Sequence, residues 1–229
     1  MIASYLDLLV IYNISQVMLY DILHESVRWI NSTFTFPLLR YIKQENTEAL
    51  QQISLLFSDR SNGCINGCIG AIDGIAIKIK CPNLKQDGEK NPGSYFCRKG
   101  FYALNAQAIC DSKKRILWLS TGHKGSTHDS FAFAETRLSA LLEEKREYLY
   151  KHRLFLIGDS AYSLQSYMIV PYSNAKSNSI EDSFNYWHSR TRHFVLIINR
   201  SCDLKMVFVC NHHYYHQIPL VRCLHSLAP

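Results

Sequence analysis

The hydrophobic period of the chain changes near residue 67, and the new period places an aspartate among isoleucines. Ile75, Ile77 and Ile79 alternate with smaller or charged residues, which is the pattern of a half-buried strand. Asp73 has the same parity as those isoleucines. Because an isolated buried carboxylate is costly, we expect Asp73 to be paired, protonated or bound to a metal ion.

Two further strands and a helix are predicted after this one. Alternating runs over 101–110 and 115–120, joined by the charged turn 111–114, predict strands in antiparallel succession. Apolar residues then recur at helical intervals over about 128–150, with Thr127 as the expected N-cap. The order is that of an α/β protein.

A second aspartate follows a short apolar run. Leu154–Ile157 is typical of a central strand covered on both faces, and Asp159 stands where that strand ends. Asp73 and Asp159 could therefore converge in one sheet and bind Mg²⁺ or Mn²⁺ through oxygen ligands. The alternative is a strand-end turn at Asp73 and a helix cap at Asp159, and the residues alone leave both readings open.

The residues before the change of period are helical. Spacings of four, four and three predict an amphipathic helix over 15–30 with Ser15 as N-cap, and a second helix is expected over 46–57. The first helix is either core or the second half of a helix-turn-helix DNA reader. The loop 58–67 is the expected boundary of a helical region comprising residues 1–62.

Composition narrows the class of protein. With 229 residues, 47% of them hydrophobic and 19% charged, the chain predicts one packed domain with a short extension. The net charge of +6 favours a polyanionic partner. The eight cysteines are spread along a chain with no evident targeting or membrane segment, so we expect reduced thiols and no contact with a membrane.

Six ordered strings of residues resemble the PIF/Harbinger transposases. The resemblance covers residues 67–192 and identifies this region as similar to the DDE superfamily endonuclease domain of those elements. The strings are Gly-Ala-Ile-Asp-Gly at 70–74, Tyr-Phe-Cys-Arg-Lys-Gly-Phe at 95–101, Gly-Ser-Thr-His-Asp-Ser at 125–130, Gly-Asp-Ser-Ala-Tyr at 158–162, Pro-Tyr at 171–172 and Phe-Asn-Tyr-Trp-His-Ser at 184–189.

The resemblance implies a fold, a chemistry and a set of site residues. It implies a ribonuclease-H-like mixed sheet flanked by helices, with an N-terminal helical extension, acting on DNA in the nucleus together with a separate DNA-binding partner protein. Three carboxylates would bind two Mg²⁺ or Mn²⁺ ions for attack on a phosphodiester. Asp73 and Asp159 would be the first two catalytic acids and metal ligands, supported by His128 and Asp129. For Asp129 a plain first-turn acid of a helix is the alternative.

The chain departs from the family pattern after Arg192. Leu196 stands where the family has its third acid, a glutamate, and the apolar run 194–198 predicts a strand in place of a helix. We therefore treat 193–229 as a divergent tail, explained by a frameshift, a mis-joined exon or a decayed copy. Loss of the third carboxylate would weaken metal binding and reduce activity, unless Glu181, Asp182 or Asp203 substitutes.

Basic residues are the expected DNA contacts. We predict phosphate contacts for Arg98, Lys99, Arg190 and Arg192, with a merely solvated face as the alternative. Residues of both kinds needed for a phosphate-tracking, base-stacking surface occur nearby. They are Lys78, Lys80, Lys85 and Lys90, with Tyr95, Phe96 and Tyr102 between or after them.

Two groups of cysteine and histidine residues suggest a zinc site but fit no common spacing. Chance composition is the better explanation of both. They are Cys64 with Cys68, and Cys202, Cys210, His212, His213 and His216.

The sequence thus predicts a metal-dependent, transposase-like endonuclease acting on DNA phosphodiester bonds, with impaired activity. Whether it is still an enzyme stays open at this point. The alternatives are a non-catalytic domesticated nuclear protein, retained for DNA binding or protein interaction, and a fossil without a stable fold.

Overall fold

A computed structural model describes residues 9, 11–33, 36–82 and 91–198, and gives the side chains of the last helix up to residue 192. The elements follow in chain order. They are α1 (Gln16–Thr33), α2 (Pro37–Lys43), α3 (Thr47–Arg60), β1 (Cys68–Lys78), a 3₁₀ turn (Pro92–Tyr95), β2 (Ala103–Cys110), β3 (Ile116–Lys124), α4 (Asp129–Ala134), α5 (Arg137–Glu144), α6 (Arg146–Lys151), β4 (Phe155–Ile157), β5 (Met168–Ile169) and α7 (Ile180–Ile198).

The strands form one five-stranded mixed sheet in the order β3-β2-β1-β4-β5. The first three strands along the chain pair antiparallel, as the sequence predicts, and β4 pairs parallel with both β1 and β5. Helices flank this sheet, so the predicted ribonuclease-H-like α/β architecture is confirmed. The parallel pairing of β1 and β4 brings two distant parts of the chain side by side.

The position of β1 at the centre of the sheet explains its sequence. Its first six residues, from Cys68 to Asp73, are all buried, and only beyond them does the half-buried alternation begin. Apolar residues of α2 and α3 complete the core together with residues of α5 and β4. They include Leu38, Ile42, Leu50, Phe57, Leu138, Leu142 and Leu156.

The N-terminal helices begin where the capping residues predict. The backbone N–H of Met18 donates to Ser15 Oγ (3.2 Å) before α1, and that of Ala49 donates to Asn46 Oδ1 (3.0 Å) before α3. Both helices are therefore confirmed, each running three residues beyond its predicted end.

The single helix predicted over about 128–150 is wrong, because the segment forms the three short helices α4, α5 and α6. His128, and not Thr127, is the N-cap of α4. Thr136 interrupts the segment, since its Oγ1 donates to Phe133 O (2.7 Å) and accepts from the N–H of Ser139 (3.1 Å). Such local side-chain bonds compete with continuous helix.

The strand predicted over 194–198 is also wrong, because α7 continues to Ile198. A short apolar run does not distinguish a strand from a buried helix by its period. Here the run follows an established helix, and adding residues to a helix is much easier than starting one.

Two expectations about the chain as a whole concern thiols and membranes. The five cysteines in the described ranges are unbonded thiols: Cys64, Cys68, Cys81, Cys97 and Cys110. Among the helices described, none combines the length and the apolar character that crossing a bilayer requires.

Candidate active site

Asp73 and Asp159 lie side by side just beyond the last parallel pair of β1 and β4. Ala71 of β1 is paired with Ile157 of β4, and each aspartate comes two residues later in its chain. Asp73 is 6% exposed and lies inside β1 opposite Ala108, so the alternative of a strand-end turn is excluded for it. Asp159 Oδ1 accepts from the N–H of Ala161 (3.0 Å), which fixes its carboxylate at the start of a turn.

Arg192 of α7 extends between the two carboxylates. Its Nη1 lies 3.6 Å from Asp73 Oδ1 and 3.9 Å from Asp159 Oδ2, distances too long for hydrogen bonds. Both Nε and Nη1 are buried without a hydrogen-bond acceptor. The guanidinium therefore interacts with both aspartates through its charge and forms a hydrogen bond with neither.

The surroundings of Asp73 hold more negative charge than Arg192 neutralises. The pKa of Asp73 is raised from 3.8 to about 6, with burial as the largest cause. The nearby carboxylates of Asp159 and Asp129 add to this rise, and Arg192 opposes it. A dication between these carboxylates would compensate the remaining charge.

Asp129 is held rigidly beside this pair by two amides of β2. Its Oδ1 accepts from Asn105 Nδ2 and Gln107 Nε2, each at 2.9 Å. Gln107 Nε2 also donates to Asn105 Oδ1 (2.8 Å), and Asn105 Nδ2 donates to the carbonyl of Thr127 (2.8 Å). Asp129 is thus more than the first-turn acid of α4, because a chain of hydrogen bonds ties it to the sheet.

Two glycines allow the close approach of these groups. A Cβ at Gly74 would lie 2.1 Å from Asp129 Oδ1, so the Asp129 carboxylate packs directly on the β1 backbone. A Cβ at Gly158 would lie 2.8 Å from Tyr162 Cδ2 and 3.1 Å from Ile72 Cγ2. Each glycine immediately adjoins one of the two aspartates, which ties the sequence motifs to the packing of the site.

Tyr162 and His188 close the site from the side of β4 and β5. The buried hydroxyl of Tyr162 donates to Gln107 Oε1, which extends the Asp129 network. His188 is 1% exposed, and its Nε2 lies 3.3 Å from the carbonyl of Ile169, joining α7 to β5. Burial lowers the pKa of His188. These contacts fix α7 four residues before Arg192.

Other predicted site residues lie outside the acid cluster. His128 caps α4, with Nδ1 at 2.8 Å from Ser130 Oγ, and is exposed. Arg190 points outward, where it donates to Tyr186 Oη (3.0 Å) and stacks on Trp187. Glu181 and Asp182 are exposed in the first turn of α7, about three helical turns before Arg192. Asp203 lies beyond the described residues.

The predicted DNA-contacting surface is partly supported by exposure. Arg98, Lys99, Lys78 and Lys80 are all exposed. The prediction of Tyr95 as a base-stacking group is wrong, because this residue is only 1% exposed. Phe96, by contrast, is 49% exposed. Lys85, Lys90 and the cysteines and histidines from Cys202 to His216 lie outside the described residues. Within the described ranges, no group of three or more cysteine, histidine or acidic side chains is placed to hold a metal ion.

The sequence does not predict that Asn105, Gln107 and Arg192 contact the acids of the site. Asn105 and Gln107 interrupt an otherwise apolar strand at positions two apart, which places both on one face. That pattern was a usable signal for a polar site. The sequence predicts a phosphate contact for Arg192. No local pattern indicates that its side chain turns toward Asp73 and Asp159.

Comparison with known proteins identifies the family. A family defined as the DDE superfamily endonuclease matches residues 72–221. The chain belongs to this family. The match includes Asp73, Asp159 and Arg192, and it continues past Arg192 into the segment expected to be a divergent tail. The resemblance read from the ordered motifs is therefore confirmed.

Individual relatives agree with this family. The chain is 30% identical over 125 residues to a protein of Rattus norvegicus named "Putative nuclease HARBI1", and 29% identical over 127 residues to the Bos taurus protein of the same name. It is 25% identical over 137 residues to a "Protein ALP1-like" of Arabidopsis thaliana. The aligned segments cover 55%, 56% and 53% of this chain but only 33%, 33% and 31% of those relatives. No solved structure is significantly similar to the chain.

Proposed function

We propose that the chain is a divalent-metal-dependent endonuclease that cleaves DNA phosphodiester bonds, as in transposon excision and strand transfer. The observation that carries the proposal is the convergence of Asp73 and Asp159, from two parallel strands, on one position already taken by a cationic group. Family membership supports the reaction class, and the acids supply the ligands that such a reaction needs.

The residues present fit a divalent cation. Carboxylates are the ligands that Mg²⁺ and Mn²⁺ prefer, and Mg²⁺ is commonly held by one or two of them together with water and substrate phosphate. Asp73 and Asp159 would hold the ion. The negative charges of Asp159 and Asp129, which add to the larger effect of burial in raising the pKa of Asp73, favour a dication there. When bound, the ion would supply charge neutralisation and activation of the attacking oxygen.

The protein's own residues set the geometry of these ligands. The β1 backbone positions Asp73, the turn hydrogen bond to Ala161 orients Asp159, and the amide network holds Asp129 against Gly74. Preorganised groups of this kind need no rearrangement as charge develops on the phosphate. Asp129 serves as a positioning acid that adds negative potential at the site.

We propose that this chain cleaves DNA more slowly than a family member with three carboxylates. Leu196 occupies the place where the family resemblance implies a third carboxylate, and two carboxylates neutralise two metal ions less well than three. We therefore expect weak binding of a second ion and slow cleavage. A non-catalytic DNA-binding or interaction module is the second candidate function, and Arg192 in the cation position favours it.

The proposed substrate contacts lie at one end of the sheet. Arg98 and Lys99 lie in the turn that the bridge between Phe96 and Tyr102 closes, beyond the carboxyl end of β1. From Asp73, β1 runs five more residues toward this end before it stops at Lys78. We infer that duplex DNA crosses these cations, in the nucleus, with a separate DNA-binding partner protein contributing to target choice.

Calorimetric titration with Mn²⁺ tests the proposal. Saturable binding by the natural chain should be lost in Asp73→Asn and retained in Asp59→Asn, which removes an exposed carboxylate from α3. Nicking of supercoiled DNA in the same buffers then separates the two functions. Metal binding with slow nicking supports the nuclease, DNA binding without nicking assigns the second function, and absence of Mn²⁺ binding in every chain overturns the metal site.

A further inference from the structure

Arg192 combines three properties that are unusual for an arginine near a catalytic acid pair. Its side chain is 16% exposed, it lies within 4 Å of both carboxylates, and its buried Nε and Nη1 have no hydrogen-bond acceptor. A buried guanidinium normally forms a bidentate hydrogen-bonded pair with one carboxylate. Here it is placed between two carboxylates and pairs closely with neither.

The neighbouring charges explain this central placement. Asp73, Asp159 and Asp129 all contribute negative potential at this point, and Arg192 is the cation that lowers the pKa of Asp73. Tyr162 and His188 also face the cluster, from the turn after β4 and from α7, and neither carries positive charge at neutral pH. Arg192 therefore places a positive charge among these acids.

The second arginine of α7 behaves in the opposite way. Arg190 is exposed and engages Tyr186 and Trp187 on the outer surface. It is free to contact a phosphate, whereas the buried atoms of Arg192 face the acids. The two arginines, predicted from sequence as equivalent DNA contacts, thus have different environments.

We infer that Arg192 is a built-in counter-cation that occupies the divalent-metal position in the metal-free protein and must be displaced when a metal ion binds. The inference rests on the proposed function, since it assigns Asp73 and Asp159 as the metal ligands. It makes metal affinity a competition within one chain. A dication cannot lie between the two aspartates while the guanidinium charge is there, because like charges at such distances repel strongly in a buried site.

The competition predicts how substitutions change metal affinity. Arg192→Gln keeps a side chain of similar shape and removes the competing charge, so it should bind Mn²⁺ at least about tenfold more tightly than the natural chain. Arg192→Lys retains a charge and should bind more weakly than Arg192→Gln. Arg190→Gln is the matched control, because it removes the same charge from the exposed face of α7 and should leave the affinity unchanged.

A measurement on the natural chain avoids dependence on how well a variant folds. The buried Nε–H of Arg192 should give a slowly exchanging arginine resonance in nitrogen-15 NMR spectra, assigned by its absence in Arg192→Gln. Addition of diamagnetic Mg²⁺ should shift that resonance and accelerate its exchange with water, while the Arg190 resonance stays unchanged.

The outcomes separate this inference from the function on which it rests. Tighter Mn²⁺ binding by Arg192→Gln, or a Mg²⁺-dependent release of the Arg192 resonance, supports the competition. Equal or weaker binding by Arg192→Gln, together with an unmoved resonance, overturns the competition and leaves the metal site standing. Absence of Mn²⁺ binding in both chains overturns the metal site, and with it the displacement.

Discussion

Asp73 shows how one buried side chain can oppose stability while serving a site. Its neutral form suits the interior of β1, whereas the proposed metal site needs its charged form. Because burial raises the pKa of Asp73 to about 6, the folded protein binds this proton more tightly than the unfolded chain does. Between pH 4 and 6 the free energy of unfolding should therefore fall as pH rises.

The Asp73→Asn variant tests this cost. An uncharged side chain of the same shape does not titrate, so the variant should be more stable than the metal-free natural chain above pH 6, by at most about 3 kcal/mol. The advantage should shrink toward pH 4. Denaturant unfolding with a chelator present, repeated at each pH, measures it, and parallel stability curves for the two chains would refute the assignment.

Sequence reasoning located the two aspartates but not the cation between them. Asp73 was recognisable because a carboxylate in phase with isoleucines is costly to bury, and Asp159 because it ends an apolar strand. The direction of the Arg192 side chain depends on how α7 packs against β1 and β5. That is a tertiary contact, and no local pattern encodes it.

At the scale of elements, α7 decides how complete the site can be. The helix runs unbroken from Ile180 to Ile198, so position 196 lies one helical turn beyond Arg192. The sequence predicts a strand over 194–198 because a short apolar run has no period that distinguishes a strand from a helix. For the same reason it predicts one helix where α4, α5 and α6 form. Element type was predictable where caps and alternation were strong, as for α3 and β1.

The Leu196→Glu variant tests whether the helix can carry a third ligand. A carboxylate one turn after Arg192 adds negative charge on that side of α7, so affinity for Mn²⁺ should rise about tenfold and nicking of supercoiled DNA should increase. Leu196→Gln is the matched control, with similar size and no charge. Equal Mn²⁺ affinity in the two variants would show that position 196 does not reach the acids.

At the scale of the whole molecule, the sheet separates two basic turns. The turn containing Arg98 and Lys99 lies beyond the carboxyl end of β1, which continues five residues past Asp73. The turn containing Lys113 lies between β2 and β3, at the opposite end, because β2 runs antiparallel to β1. The net charge of the chain does not distinguish Arg98 and Lys99 from Lys113. Only the topology of the sheet does so.

This polarity predicts a position-dependent loss of DNA binding. If DNA crosses the carboxyl end of β1, replacing Arg98 and Lys99 by glutamine should weaken binding of duplex DNA at every sequence. It should also reduce the slope of log affinity against log salt by about 2, roughly one for each lost phosphate contact. Lys113→Gln removes an exposed cation from the other end and should leave that slope unchanged. Fluorescence anisotropy across a salt series measures the affinity and the salt slope of each variant. An equal effect at the two ends of the sheet would indicate a diffuse basic surface, because the contribution of a cation depends on its position only when DNA follows a defined path.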